Sequence, residues 1–160
     1  MPIDAAEFRA ALALRAGGVT IVTARAGDRV HGMTVTDFAG VSLDPPLVLV
    51  CADKSSNTLP LIERGGNFAV NLLAAGQQDL SNRFASKQHE WTRFEGLSCE
   101  ASATGAPLIP GALVGLACRV VALHDAGDHV IVVGQVEEAR RCEASPLVYW
   151  GGGYRQLAPS

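Results

Sequence analysis

Lysine is almost absent from this chain, occurring only at Lys54 and Lys87, and the other basic residues are scattered apart from the pair Arg140-Arg141. With 13 basic against 16 acidic side chains and a formal charge of −3, no basic face is available for a nucleic-acid backbone, and a nucleic-acid partner is excluded. No apolar run reaches the roughly eighteen residues of a spanning helix, and the N-terminus lacks a basic segment followed by an apolar core. The sequence therefore predicts a cytoplasmic protein with no membrane partner. Cysteine is dispersed: Cys51, Cys99, Cys118 and Cys142 never come close in sequence, which excludes the spacing of a zinc site or a redox pair and predicts buried free thiols. The four histidines, His31, His89, His124 and His129, are equally far apart, each without an obvious carboxylate or cysteine partner. No metal site is predicted.

Catalytic signatures are missing too. There is no Gly-x-Gly-x-x-Gly, no Gly-Lys-Ser or Gly-Lys-Thr, no His-Glu-x-x-His and no Gly-x-Ser-x-Gly, so a Rossmann dinucleotide site, triphosphate hydrolysis, zinc proteolysis and esterase chemistry all lack their usual residues. The βαβ rhythm of a parallel sheet is absent as well. What is present is strand at hairpin-like spacing with short helices between, which predicts a mainly β, antiparallel barrel. At 160 residues the chain reads as one domain, 1–160, large enough to bury about 68–70% of its unfolded surface around one core.

In order, residues 4–15 read as a helix with Asp4 and Glu7 as a capping box, ended by Gly17-Gly18 and packed by its apolar face on the barrel. Strands at 19–23 and 30–36 form a hairpin about Ala26-Gly27-Asp28-Arg29. The run 47–52 reads as a strand buried on both faces, entered through Asp44-Pro45-Pro46, which no helix accommodates. A short helix at 58–64 follows, capped by Ser56 or Asn57 and stopped by Gly65-Gly66. Then come a strand at 67–73, a helix at 77–85 and, at 86–96 with Trp91 and Phe94, a polar surface loop or irregular helix. A weak strand at 97–103 precedes two long strands at 113–124 and 129–140, and a short strand at 147–150 ends the series.

Chemistry concentrates on the rim of the 47–52 strand. Thr34, Thr36, Ser55, Ser56 and Thr58 carry hydroxyls able to donate to phosphate or ribityl oxygens, Lys54 adds a positive charge, and a helix start after Ser55-Ser56 would offer free amides to an anion. Ordinary strand threonines and a helix-capping serine pair give the same residues, so spacing alone names no ligand.

The ordered series Gly32-Met33-Thr34-Val35-Thr36, Ser42-Leu43-Asp44-Pro45-Pro46-Leu47, Lys54-Ser55-Ser56, Asn67-Phe68-Ala69-Val70-Asn71-Leu72-Leu73, residues 77–84 and Gly127-Asp128-His129 resembles the flavin reductase-like, FMN-binding split-barrel family, most closely the NAD(P)H:flavin reductase components of two-component monooxygenases. The resemblance implies an antiparallel Greek-key split β-barrel with a few short peripheral helices, forming a homodimer that binds FMN or FAD near the subunit interface. It implies reduction by NADH or NADPH and a transient partner oxygenase. Thr34, Val35 and Thr36, with Ala52 and Asp53, match the segments that meet the flavin ring and ribityl chain. Lys54, Ser55 and Ser56, with Thr58 beside them, match the phosphate segment, helped by Arg83 and Phe84. Gly127, Asp128 and His129 match the nicotinamide side, His129 being the candidate for orienting the reductant, and Tyr154 is carried over after the triple glycine. Asp37 departs from the family pattern, which has a small neutral residue there. A carboxylate facing flavin would repel it, so Asp37 either points away or marks altered cofactor use. Two other readings stay open: a flavoprotein that keeps FMN bound for another oxidoreduction, and a non-catalytic flavin- or ligand-binding barrel.

Overall fold

The computed structural model describes residues 1–159. In chain order its elements are α1 (Ala5–Leu12), β1 (Gly17–Gly18), β2 (Thr20–Ala26), β3 (Arg29–Val35), β4 (Phe38–Leu43), β5 (Pro46–Asp53), α2 (Leu59–Gly65), β6 (Asn67–Leu72), α3 (Gln78–Ala85), a 3-10 turn at Glu90–Thr92, β7 (Glu100–Ala101), β8 (Pro107–Leu108), β9 (Val114–Ala126), β10 (His129–Arg141), β11 (Val148–Trp150) and β12 (Gly153–Arg155).

Seven strands form one antiparallel sheet in the order β3-β2-β6-β9-β10-β5-β4. Its two edge strands, β3 and β4, are consecutive in sequence and joined only by Thr36 and Asp37. That short link forces the sheet to curl until its edges nearly meet, without a hydrogen-bonded seam between them, and the result is a split barrel. The hairpins β2–β3 and β9–β10 use the same device: an Ala-Gly-Asp sequence closes each, with Gly27 and Gly127 at φ near +60°, the left-handed conformation that tight hairpin turns require and glycine adopts without strain.

Val22, Ala24, Val50, Ala52, Phe68, Val70 and Val132 fill the barrel, and α2 plugs it with Leu59, Leu61 and Ile62. Gly134 on β10 has no room for a side chain, since a Cβ would lie 2.4 Å from the Phe68 ring. A second cluster, Val19, Ile21, Leu73, Phe84, Ile109 and Leu147, lies outside the sheet beneath α3.

Several sequence expectations change here. The strands buried on both faces are β2 and β6, which lie side by side in the sheet. β5 alternates, with Val48, Val50 and Ala52 inside and Leu47, Leu49 and Cys51 half-exposed. The helix at the N-terminus is capped by Asp4, whose Oδ1 accepts from Glu7 N at 2.8 Å, but it ends at Leu12 and buries no residue. It is held instead by its trailing turn, where Leu14 O accepts from Trp150 Nε1 and Ala13 O from Gly151 N. Of the cysteines only Cys118 is buried; Cys51 and Cys99 are half-buried and Cys142 is exposed. Strands β4 and β12 lie where no strand was expected, and the strand expected at 97–103 is reduced to the two residues of β7. Two histidines do have carboxylate neighbours, His31 with Glu90 and His129 with Asp128. Among the described residues no helix is long and apolar enough to cross a membrane, and no group of three or more side chains could hold a metal ion.

Candidate active site

Because β3 is an edge strand, its outer side is free to be covered by something other than a strand, and α3 with the segment after it takes that place. Arg93 completes the cover: its Nη1 donates to Gly32 O at 2.8 Å and its Nη2 to Ser86 O at 3.0 Å. Between β3, α3 and the loop after β5 lie two adjoining cavities that share Thr34 and Ala85, of about 380 Å³ and 210 Å³. Together they make a trough along the split of the barrel.

The smaller cavity is its polar end, reached by Asp53, Ser55, Ser56, Thr58, Lys87 and Arg93 over a floor of His31 and Met33. Asp53 Oδ1 accepts from both the amide and the hydroxyl of Ser55 at 2.7 Å, which holds its carboxyl below the usual carboxylate range, with His129 adding a smaller electrostatic contribution. Ser56 Oγ caps α2 by accepting from Leu59 N at 3.2 Å and keeps its own proton free to donate. This side-chain cap occupies the first helix amide, so the anion site expected at the helix start rests on hydroxyls and cations rather than on that amide. Arg93 is 5% exposed, and its Nε has no hydrogen-bond partner. Burial depresses its pKa and Glu90 opposes that shift. Lys87 and the free Ser56 hydroxyl, next to the buried Arg93 charge, suit an anionic oxygen ligand.

The larger cavity is lined by Thr34, Thr36, Ser81, Asn82, Tyr149 and Tyr154 among others. Tyr154, on β12, bonds Asn82 Oδ1 at 2.7 Å and Ser81 Oγ at 2.8 Å, and packs edge-on against Tyr149 at 5.4 Å. Gly151 and Gly152, both at positive φ, make the turn that brings β12 back beside β11. A third, larger concavity of about 580 Å³ lies beyond α3. It is lined by Asp79, Asn82, Arg83, Ser86, His89, Thr92 and Glu95.

Of the sequence-predicted residues, the trough gathers Thr34, Thr36, Asp53, Ser55, Ser56, Thr58, Phe84 and Tyr154. Thr34 spends its proton on Ser81 O at 2.7 Å. Phe84 is fully buried, supporting the floor at Gly32 rather than meeting a phosphate. Val35 and Ala52 lie on the flanking strands and do not line the trough. Lys54 points to the β9–β10 hairpin, where its ammonium pairs with Asp125; Lys87 is the lysine at the polar end. Arg83 donates to Thr92 O at 2.6 Å and to Glu95 O, so it staples the covering segment to α3. Asp37 is paired with Arg15 at 2.8 Å and lines neither cavity of the trough. Gly127, Asp128 and His129 stand outside the trough, one strand away. His129 pairs across β10–β5 with Asp53, and its Nδ1 lies 2.7 Å from Asp128 Oδ1.

His31, Asn57, Glu90 and Arg93 were not singled out from the sequence. Trp91 and Phe94 in an otherwise polar 86–96 segment were the available signal, since aromatic residues in a surface loop imply that it folds back on the body. Phe94 does, packing edge-on against Phe84 at 5.1 Å.

A family model for the flavin reductase like domain matches residues 13–158. The chain is 43% identical over 152 residues to an NADH-dependent FMN reductase of Agrobacterium fabrum, covering 95% of this chain and 86% of the relative. It is 44% identical over 151 residues to the reductase component of a 4-hydroxyphenylacetate 3-monooxygenase of Thermus thermophilus, covering 94% and 95%. The NADH:FAD oxidoreductase of Streptomyces globisporus, solved in complex with NAD and FAD fragments, superposes with a TM-score of 0.90 at 35% identity, covering 98% of this chain and 94% of that one. With the fold, the trough and these full-length likenesses in agreement, the chain belongs to the family of flavin reductase like domains.

Proposed function

We propose that this protein is an NAD(P)H:flavin oxidoreductase that moves hydride from a reduced nicotinamide to FMN or FAD and supplies the reduced flavin to a partner monooxygenase. The observation that carries the reading is the near-complete, two-way coverage at 43% and 44% identity by an FMN reductase and a monooxygenase reductase component. The site is consistent with it. Arg93, Lys87 and Ser56 would hold the phosphate-bearing end, and Thr36 with the Tyr149–Tyr154 wall the remainder.

When bound, the flavin supplies the hydride-accepting ring, so the protein needs neither triad nor metal. Its residues orient and enclose. Met33 and Ala85 give the trough its apolar floor and side, the tyrosine wall limits water at one end, and the cations balance phosphate charge at the other. His129, oriented through Nδ1 by Asp128 and opposite Asp53 in the β10–β5 register, is the candidate for contacting the nicotinamide nucleotide. A cytoplasmic location accords with the use of that reductant.

We further infer a homodimer. The well-capped helix α1 buries nothing and exposes Phe8 and Leu12, and edge strand β4 exposes Val41 and Leu43. A second copy covering these residues supports the reading that the trough lies near a subunit boundary. The test of function is aerobic oxidation of NADH and of NADPH by the purified protein with FMN and with FAD. Oxidation with at least one combination is expected, and none with any of the four would overturn the assignment. A colourless purified protein that is active with added flavin would mark the flavin as a diffusible substrate.

A further inference from the structure

The polar end of the trough is closed by a ring of four side chains from three segments. Thr58 Oγ1 and His31 Nδ1 share a hydrogen bond of 2.7 Å. His31 Nε2 stands 3.4 Å from Glu90 Oε1, and Asn57 Nδ2 donates to the same Oε1 at 2.8 Å. Asn57 and Thr58 are consecutive, so the ring closes on one dipeptide. It ties β3, the loop after β5 and the Glu90–Thr92 turn to one another across the cavity.

The ring is not needed to satisfy a helix end or a sheet edge, because α2 already has its cap from Ser56 and β3 its cover from Arg93. What it tethers is the Asn57-Thr58 dipeptide that directly follows Ser56, whereas the Ser55 hydroxyl is held separately by Asp53. His31 is 5% exposed and oriented by its 2.7 Å bond to Thr58, with the Glu90 carboxylate 3.4 Å from its otherwise unpartnered Nε2. The charges facing the ring are Arg29 from β3 and Arg93 and Lys87 from the covering segment. They favour an ionised Glu90 and a neutral His31.

Resting on the flavin-reductase reading, we propose that Glu90 is a positioning residue: acting chiefly through Asn57, with His31 beside it, it holds the 56–58 segment in place so that Ser56 can receive the phosphate-bearing end of the flavin. A positioning role separates ligand binding from hydride transfer. In Glu90→Ala, flavin Kd measured by fluorescence quenching is expected to rise about tenfold, equivalent to about 1.4 kcal/mol. kcat at saturating flavin and KM for NADH should stay within about twofold of wild type, since positioning of this segment adds only uniform binding. Glu90→Gln keeps an acceptor at Oε1 and is expected to recover most of the affinity. Glu90→Ala combined with Asn57→Ala should bind no more weakly than Glu90→Ala alone, because both remove the same link.

A readout independent of flavin is amide hydrogen exchange of residues 55–59 in the ligand-free protein, expected to accelerate in Glu90→Ala and to return toward wild type in Glu90→Gln. Additive affinity losses, or exchange at 55–59 indifferent to Glu90, overturn the positioning role. Wild-type protein that binds flavin while Glu90→Ala binds it equally well overturns that role alone. Wild-type protein that binds no flavin overturns the functional reading itself.

Discussion

His31 shows how burial changes what one residue does. Burial is the largest influence on its pKa and, with Arg93 and Arg29, lowers it, while Glu90 works in the opposite direction. A histidine whose folded-state pKa lies below its unfolded value leaves the unfolded chain binding more protons, so its contribution to stability is present above about pH 6.5 and declines as pH falls from there through the folded pKa. His31→Gln is therefore expected to flatten the fall in melting temperature on the acid side of about pH 6.5; an unchanged profile would mean that His31 does not cause it. Glu90 shifts downward through its bond from Asn57, and its contribution is lost only at lower pH, below about 4.3, so the two are separable. Asp37 and Arg15 are more than half exposed, and Asp37→Asn should change stability by less than about 1 kcal/mol in a denaturant titration. At the reaction, His129→Ala is expected to raise KM for the nicotinamide or slow flavin reduction, and unchanged steady-state kinetics would remove it from the site. The rim residues were legible because hydroxyls cluster in sequence there. His31 and Arg93 were not, because a lone histidine and a lone arginine acquire partners only when segments 26 and 61 residues away from Asn57-Thr58 and Gly32, respectively, fold over them.

Among the elements, the hairpins were legible and the edge was not. Ala-Gly-Asp turns and β-branched runs announce β2–β3 and β9–β10 locally. β4, with the sequence Phe-Ala-Gly-Val-Ser-Leu and three exposed residues at its centre, has little strand texture of its own and is recruited by pairing with β5. The reverse holds for β5, where an unbroken apolar run suggests burial on two faces although only one is inside. The packing of β10 on β6 depends on one missing side chain. Gly134→Ala would drive a Cβ into Phe68 and to 2.9 Å from Cys118 Cβ, and is expected to destabilise the protein by about 1–3 kcal/mol in a denaturant titration. A loss well below that range would show that the Phe68 ring moves aside.

For the whole molecule, the curl of a seven-stranded sheet whose edges share a two-residue link creates the trough, and the exposed apolar residues of α1 and β4 leave the barrel with surface to cover. Light scattering is expected to give a dimer, and Phe8→Asp with Leu12→Asp to shift it toward monomer; a monomeric wild type would remove the shared-boundary reading. Alternation of apolar residues, turn chemistry and helix caps are short-range properties, so the sequence by itself determined the antiparallel β class, most strand positions and the hydroxyl-bearing rim, and the order of its motifs pointed to flavin. Which charges reach that rim was decided only in three dimensions. Lys54 lies beside the rim in sequence yet turns to Asp125, while Lys87 and Arg93 reach it from a segment some thirty residues later. The reason is physical: Lys54 sits in the turn after β5, its amide donating to Asp128 O at 3.0 Å, which sets it beside the β9–β10 hairpin, and the side chains that share a cavity are chosen by how the sheet closes.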